Sequence, residues 1–236
     1  ELIYGMDESG FPLGDFGKKK VVGRRGAKRQ HKQGSGDKEN VTVLVTICAD
    51  GTHLRPTIIY KGKNFMQKIC HSDNGWTDSE LGRSWIEKDF DALTKEKAAG
   101  RTRVLIMDGH SSHYTPELLR YAKDNNIIIL GYPPHCTHAL QGLDVVCFAC
   151  MKKAYQEAVS DFEKQMKRKF KKADFTGVFG KAFLEAFTPE TIKAAFEKTG
   201  VYPFNPNAIS AKQMRPSEAT SLTKAYPLPN PSPVAA

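Results

Sequence analysis

The chain has 236 residues, enough for one sizeable core or two small ones. Its content, 40% hydrophobic and 26% charged, is ordinary for a globular protein, and no run approaches a membrane span, which sets aside a membrane partner. Basic side chains outnumber acidic ones 35 to 26, for a net charge of +9; that favours a polyanionic partner, although charge alone does not select nucleic acid.

The chain opens in a strand-like segment with no initiator Met and no signal-peptide pattern, as a fragment would. Five scattered cysteines (Cys48, Cys70, Cys136, Cys147, Cys150) point to reduced thiols in an intracellular compartment rather than a disulfide framework.

Residues 2 to 7 are almost continuously apolar and predict a buried strand that ends on Asp7. A run of eight cations follows: Lys18, Lys19, Lys20, Arg24, Arg25, Lys28, Arg29 and Lys32, interrupted by glycines and holding no acid. It cannot form a core. It reads as a loop that meets phosphates, or as a solvated loop or nuclear-import signal. Val41, Val43, Val45 and Ile47 alternate with Thr42, Leu44, Thr46 and Cys48 as in a half-buried strand. Asp50-Gly51 supplies a turn, and residues 57–60 the returning strand. Residues 64–78 read as irregular. Thr77 or Asp78 can cap a helix through Phe90 whose face carries Leu81, Trp85, Ile86 and Phe90.

A strand over 103–108 ends on Asp108, a helix over 116–124 opens at Thr115-Pro116-Glu117, and a strand covers 126–131. After Asp144, apolar residues recur from Phe148 to Phe170 at three- and four-residue steps, predicting a long amphipathic helix packed on the sheet. Its end carries Lys164, Lys167, Arg168, Lys169, Lys171 and Lys172, suited to a helix C-terminus and also to DNA. Residues 188–199 predict a last helix, capped by Thr188-Pro189-Glu190. From Ser217 the composition turns to Pro, Ser, Ala and Thr, as in a disordered tail. Three strands followed by alternating helix and strand predict an α/β mixed sheet with helices on both faces.

Asp7-Glu8-Ser9-Gly10, Asp108-Gly109-His110-Ser111-Ser112-His113 and the block from Pro133 to Val145 resemble the three signature blocks of a DDE superfamily endonuclease. The likeness is to the pogo-type, mariner-like transposases and the related centromere-protein-B-like proteins. It extends to Ala49-Asp50-Gly51-Thr52, Ile59-Tyr60-Lys61-Gly62-Lys63, Gly75-Trp76 with Ser79-Glu80-Leu81, and Gly200-Val201-Tyr202-Pro203-Phe204-Asn205-Pro206, and so covers roughly residues 1 to 210.

The resemblance implies a ribonuclease-H-like (retroviral-integrase-like) fold, with a catalytic domain over 1–172, a helical C-terminal extension of the same domain over 173–210 and a Pro/Ser/Ala-rich disordered tail over 211–236. It implies Asp7, Asp108 and Asp144 as catalytic, metal-binding carboxylates for two Mg2+ or Mn2+ ions, a pair that activates the nucleophile and stabilises the departing oxygen. At Gly142 the family usually has Pro, and glycine there is expected to loosen the turn that aims Asp144. Glu8, alternating with Asp7 along a strand, falls on the opposite face. His110 and His113 either orient phosphate or close structural hydrogen bonds. Gln141 is expected near the scissile phosphate.

The function implied is metal-dependent DNA cleavage and strand transfer in the nucleus, with transposon ends and target DNA as partners and no small-molecule cofactor. A homodimer stays open. The other readings are a domesticated, non-cleaving DNA-binding protein of the centromere-protein-B type and a stand-alone ribonuclease-H-like nuclease. A competing constellation, Cys147-Phe148-Ala149-Cys150 with His135, Cys136 and His138, has the composition of a zinc site. The Cys pair falls on a predicted helix whose Phe148 faces the core, which favours a structural role.

Overall fold

The structure, a computed structural model, describes residues 2–14, 39–61, 70–72, 79–108, 114–133, 136–210 and 213. Alternating apolar residues from Val41 to Ile47 build the strand β2 (Asn40–Cys48), which pairs antiparallel with β1 (Ile3–Pro12) from Tyr4↔Cys48 to Pro12↔Asn40. β1 runs five residues past the expected end, to Pro12, so Asp7 lies within it rather than at its end. After the Asp50-Gly51 turn, where Gly51 has φ 96°, the chain returns as β3 (Thr57–Lys61), antiparallel to β2. The stretch expected to be irregular holds a short strand, β4 (Cys70–Ser72), parallel to β3.

On the other side of β1, β5 (Arg103–Met107) runs parallel to it, starting at Ile3↔Val104, and β6 (Ile127–Gly131) runs parallel to β5. The order is β4-β3-β2-β1-β5-β6, a mixed sheet with β1 at its centre.

Period-two alternation gives this sheet two buried faces. Tyr4, Met6, Leu44 and Cys48 point into one core, with Leu105 and Met107. The helix foreseen to end at Phe90 covers this face and runs further: α1 (Ser79–Trp85), a π-helical stretch Ile86–Asp91, then α2 (Ala92–Ala98). Trp85, Ile86 and Phe90 fill that core beside Leu118 and Ala122 of α3 (Pro116–Asp124). The N-cap of α3 is Thr115, which accepts the Leu118 N–H at 3.2 Å. Arg103, at the start of β5, is buried against Asp91 at 2.7 Å and donates to the Asn125 carbonyl at 2.6 Å, fixing β5 between the helices.

The opposite core contains Phe11, Val41, Val43, Val45 and Ile47. After a short α4 (Thr137–Leu140) and a π-helical stretch Leu143–Cys147, α5 (Phe148–Met166) crosses this face. It stops four residues before Phe170, with Lys167 in the left-handed region at φ 51°. The chain then turns back and sets the Phe170 ring 5.9 Å from that of Phe162. The basic residues at this end are partly engaged by acids. Arg168 donates to both oxygens of Asp174 at 2.7 Å, Lys169 pairs with Glu163 at 3.3 Å, and Lys172 pairs with Glu39.

α6 (Phe175–Ala186) was not foreseen as a separate helix, and α7 (Pro189–Lys198) starts at the expected Thr188 cap. Both belong to the same core as α5.

Candidate active site

Asp7 pairs across β1–β2 with Val45 and so shares the face covered by α5, α6 and α7, whereas Glu8 pairs with Leu44 of the other core. Carrying the parallel register onward from Ile3↔Val104 brings Asp108, the residue after β5, level with Asp7 on the same face. Asp144 sits in the first turn of the π-helical stretch that leads into α5. It is therefore a helical residue rather than part of an open turn. π-turns recur at functional sites because the wider coil re-aims a side chain.

α7 holds that turn in place. Gly142 has helical dihedrals (φ −58°, ψ −31°), and a Cβ there would stand 2.7 Å from the Ala195 carbonyl oxygen and 3.1 Å from the Ala195 Cβ. The expectation of a loosened turn is thereby corrected. Glycine lets the α7 backbone press directly on the segment, and packing supplies the restraint.

The electrostatics report convergence. Burial first, and then the charges of Asp144 and Asp108, push the Asp7 carboxyl up to about 8. The Glu8 N–H, donating to Asp7 Oδ1 at 2.7 Å, and the Gln141 amide oppose the rise. Asp144 is also raised, by burial and by Asp108, against the pull of Lys152. Tyr132 is held protonated by burial and by the charges of Asp7 and Asp144. Tyr114 is pushed up to about 12 by burial and by Asp108.

Three carboxylates from β1, the end of β5 and the head of α5 thus lie within one another's field. Among the described residues, no three His, Cys, Asp or Glu side chains stand close enough to form a ready ligand cluster. The donor set still suits a hard divalent cation, since all three groups offer oxygen. The mutual repulsion and desolvation that raise Asp7 are what a cation would relieve.

Gln141, expected near a phosphate, is only 2% exposed, and its amide counters the rise of the Asp7 carboxyl. Lys18, Lys19, Lys20, Arg24, Arg25, Lys28, Arg29, His110, His113 and His135 lie outside the described residues, as do Thr77, Asp78 and the tail apart from Gln213. Cys147 is buried and Cys150 exposed, so the pair splits between core and surface; burial pushes the Cys147 thiol up to about 12. His138 approaches the Gln213 carbonyl at 3.0 Å. Sequence reasoning missed Tyr132 and Lys152. Tyr132 directly precedes the Pro-Pro-His block. Lys152 lies eight residues, two helical turns, after Asp144, a spacing that puts both on one side of the helix.

The profile of the DDE superfamily endonuclease family matches residues 38–196, and the chain belongs to that family. Its relatives include the pogo type: it is 30% identical over 121 residues to mouse "Pogo transposable element with KRAB domain", covering 48% of this chain and 19% of that protein. It is 28% identical over 111 residues to human "Pogo transposable element with ZNF domain", covering 44% and 8%. Over 226 residues it is 33% identical to "MFS-type transporter clz9" of Cochliobolus lunatus, covering 90% of this chain and 24% of that protein. The chain therefore spans a quarter or less of these curated relatives. Among the described residues no helix is long and apolar enough to cross a membrane.

Among solved structures, the Mos1 strand transfer complex superposes with a TM-score of 0.60 at 14% identity, covering 84% of this chain and 51% of that one. The mariner Mos1 paired end complex with Mg gives 0.59 at 14%, covering 84% and 52%. At that identity the likeness establishes the fold, which is ribonuclease-H-like.

Proposed function

We propose that the chain is the catalytic domain of a pogo/mariner-type DNA transposase that cuts DNA strands and joins them to target DNA in the nucleus. The observation that carries this reading is that Asp7, Asp108 and Asp144, from three separate elements of a DDE-family chain, act on one another electrostatically, Asp108 and Asp144 raising Asp7 and Asp108 raising Asp144. These three side chains would hold two Mg2+ or Mn2+ ions, which when bound activate a water or 3′-hydroxyl and neutralise charge gathering on the phosphorus. Mos1 structures solved with Mg and with Mn are in keeping with such a requirement.

The protein's own part is to fix the carboxylates. β1 and β5 set Asp7 and Asp108 side by side, and α7 braces the turn that carries Asp144. The Tyr132 hydroxyl, kept protonated beside Asp7 and Asp144, can donate to an oxygen of the bound phosphate. The cations from Lys18 to Arg29, with His110, are proposed to contact DNA phosphates.

The deciding assay is strand cleavage and joining by the full-length protein with Mg2+ or Mn2+. Asp108→Asn is expected to lose both activities while keeping duplex binding, since it removes charge but little volume. A wild type that binds its DNA and never nicks it with either metal would instead be the non-cleaving binder of the centromere-protein-B type. For the basic run, replacing Lys18, Lys19, Arg24 and Arg25 with Ala should reduce the slope of log K against log salt by roughly 0.9 for each phosphate no longer neutralised. An unchanged slope would make the run a solvated loop.

A further inference from the structure

We infer that Gln141 is a positioning residue for Asp7, a buried amide donor that orients this carboxylate toward the metal, with α7 as its backstop. The inference rests on the metal-binding reading proposed above. Gln141 is 2% exposed, and its Nε2 has no hydrogen-bond partner among the described residues. Buried donors are nearly always paired, so an unpaired one beside a proposed catalytic group calls for an acceptor. Gln141 lines a cavity together with Gly5 and Met6, the two residues that precede Asp7 on β1, so the Asp7 carboxylate is the charged acceptor beside it. One Asp7 oxygen already takes the Glu8 N–H at 2.7 Å. A carboxylate has lone pairs enough for the Gln141 donor and a cation as well.

The backbone of Gln141 is fixed on both sides. Its N–H donates to the Thr137 carbonyl at 2.9 Å, and its carbonyl accepts the Val145 N–H at 3.0 Å. The next residue, Gly142, is pressed against the α7 backbone at Ala195. Gln141 lines a small cavity beneath β1 with Tyr132, Thr199 and Val201. Such burial leaves the amide poorly placed to touch DNA and well placed to hold a carboxylate. A carboxylate that holds a cation on one side still offers the buried amide an acceptor on the other.

The test is Mn2+ binding to the protein by calorimetry, in the wild type, in Gln141→Met and in Gln141→Asn. Met keeps length without the amide, and Asn keeps the amide out of reach. Both variants are expected to bind Mn2+ about tenfold or more weakly, the usual effect of losing a group that orients a ligand. In chelator, Gln141→Met should melt no lower than wild type, because the donor it removes is unpaired there. An amide that only fills space would give the reverse: a lower melting temperature for Met and unchanged Mn2+ affinity in whichever variants fold. That result would overturn the inference and leave the metal site standing. A wild type that binds no Mn2+ would bring down the site and the inference together.

Discussion

A carboxyl group that keeps its proton at neutral pH is a poor cation ligand until the cation itself pulls the proton off, and Asp7 is such a group. Its ordinary value of 3.8 is pushed up to about 8 in the folded chain, first by burial and then by Asp144 and Asp108. Below about pH 4 it is neutral in the folded and unfolded chains alike. Between about 4 and 8 the unfolded chain gives up a proton that the folded protein keeps, so metal-free stability falls as pH rises, by up to about 1.4 kcal/mol per pH unit. Melting temperatures in chelator from pH 4.5 to 8 should therefore decline for wild type. They should decline much less for Asp7→Asn, with a residual slope from Asp144, which is also raised. Parallel curves would mean that Asp7 is not desolvated among like charges. The three aspartates themselves were legible in the sequence because each ends or opens a recognisable block. The orientation of Gln141 was not, since it depends on α7 arriving from more than fifty positions downstream to press on Gly142. No local pattern encodes that approach.

At the scale of elements, the sequence was most legible where a cap or a strict alternation marked the ends. β2 and the Thr115 and Thr188 caps show this, each cap accepting the N–H three residues on. α6 shows the opposite. Phe175, Phe179, Phe183 and Phe187 recur every four residues, with neighbouring rings 5.2, 6.0 and 4.4 Å apart, yet the helix has no side-chain cap and carries two glycines. Burial of the Phe ladder overrides weak propensity. A Cβ at Gly177 or Gly180 would meet nothing within 4 Å, and neither has positive φ. Gly177→Ala and Gly180→Ala should each raise stability by about 0.5–1 kcal/mol, read as a higher urea midpoint at unchanged m-value. A drop in midpoint would show that these glycines touch something outside the described residues. The π-helical stretches at Ile86–Asp91 and Leu143–Cys147 were also beyond local reading, because an extra residue in a turn leaves the apolar pattern almost unchanged.

For the whole molecule, the consequence concerns where the domain ends. The sequence suggested a catalytic domain over 1–172 with a helical extension of the same domain over 173–210. In the structure Phe175, Phe179, Phe183, Phe187, Ile192 and Phe196 are buried in the same core as Val41, Val43, Val45 and Ile47 of β2. These six side chains follow residue 172. Exposing them would forfeit on the order of 10 kcal/mol at about 1.5–3 kcal/mol each, an upper figure because unfolded chains stay partly compact. That is comparable with the whole stability of a typical domain, about 5–15 kcal/mol. Removal of α7 would also take Ala195 away from Gly142 and so release the turn that carries Asp144. A chain cut after Lys172 is therefore expected to lack a cooperative melting transition, whereas one cut after Gln213 should melt as a single unit near the temperature of the intact chain. Circular dichroism melts of the two truncations decide the matter. A cooperative, Mn2+-binding 1–172 fragment would show that α6 and α7 are an accessory layer, and that the Asp144 turn holds its place without them.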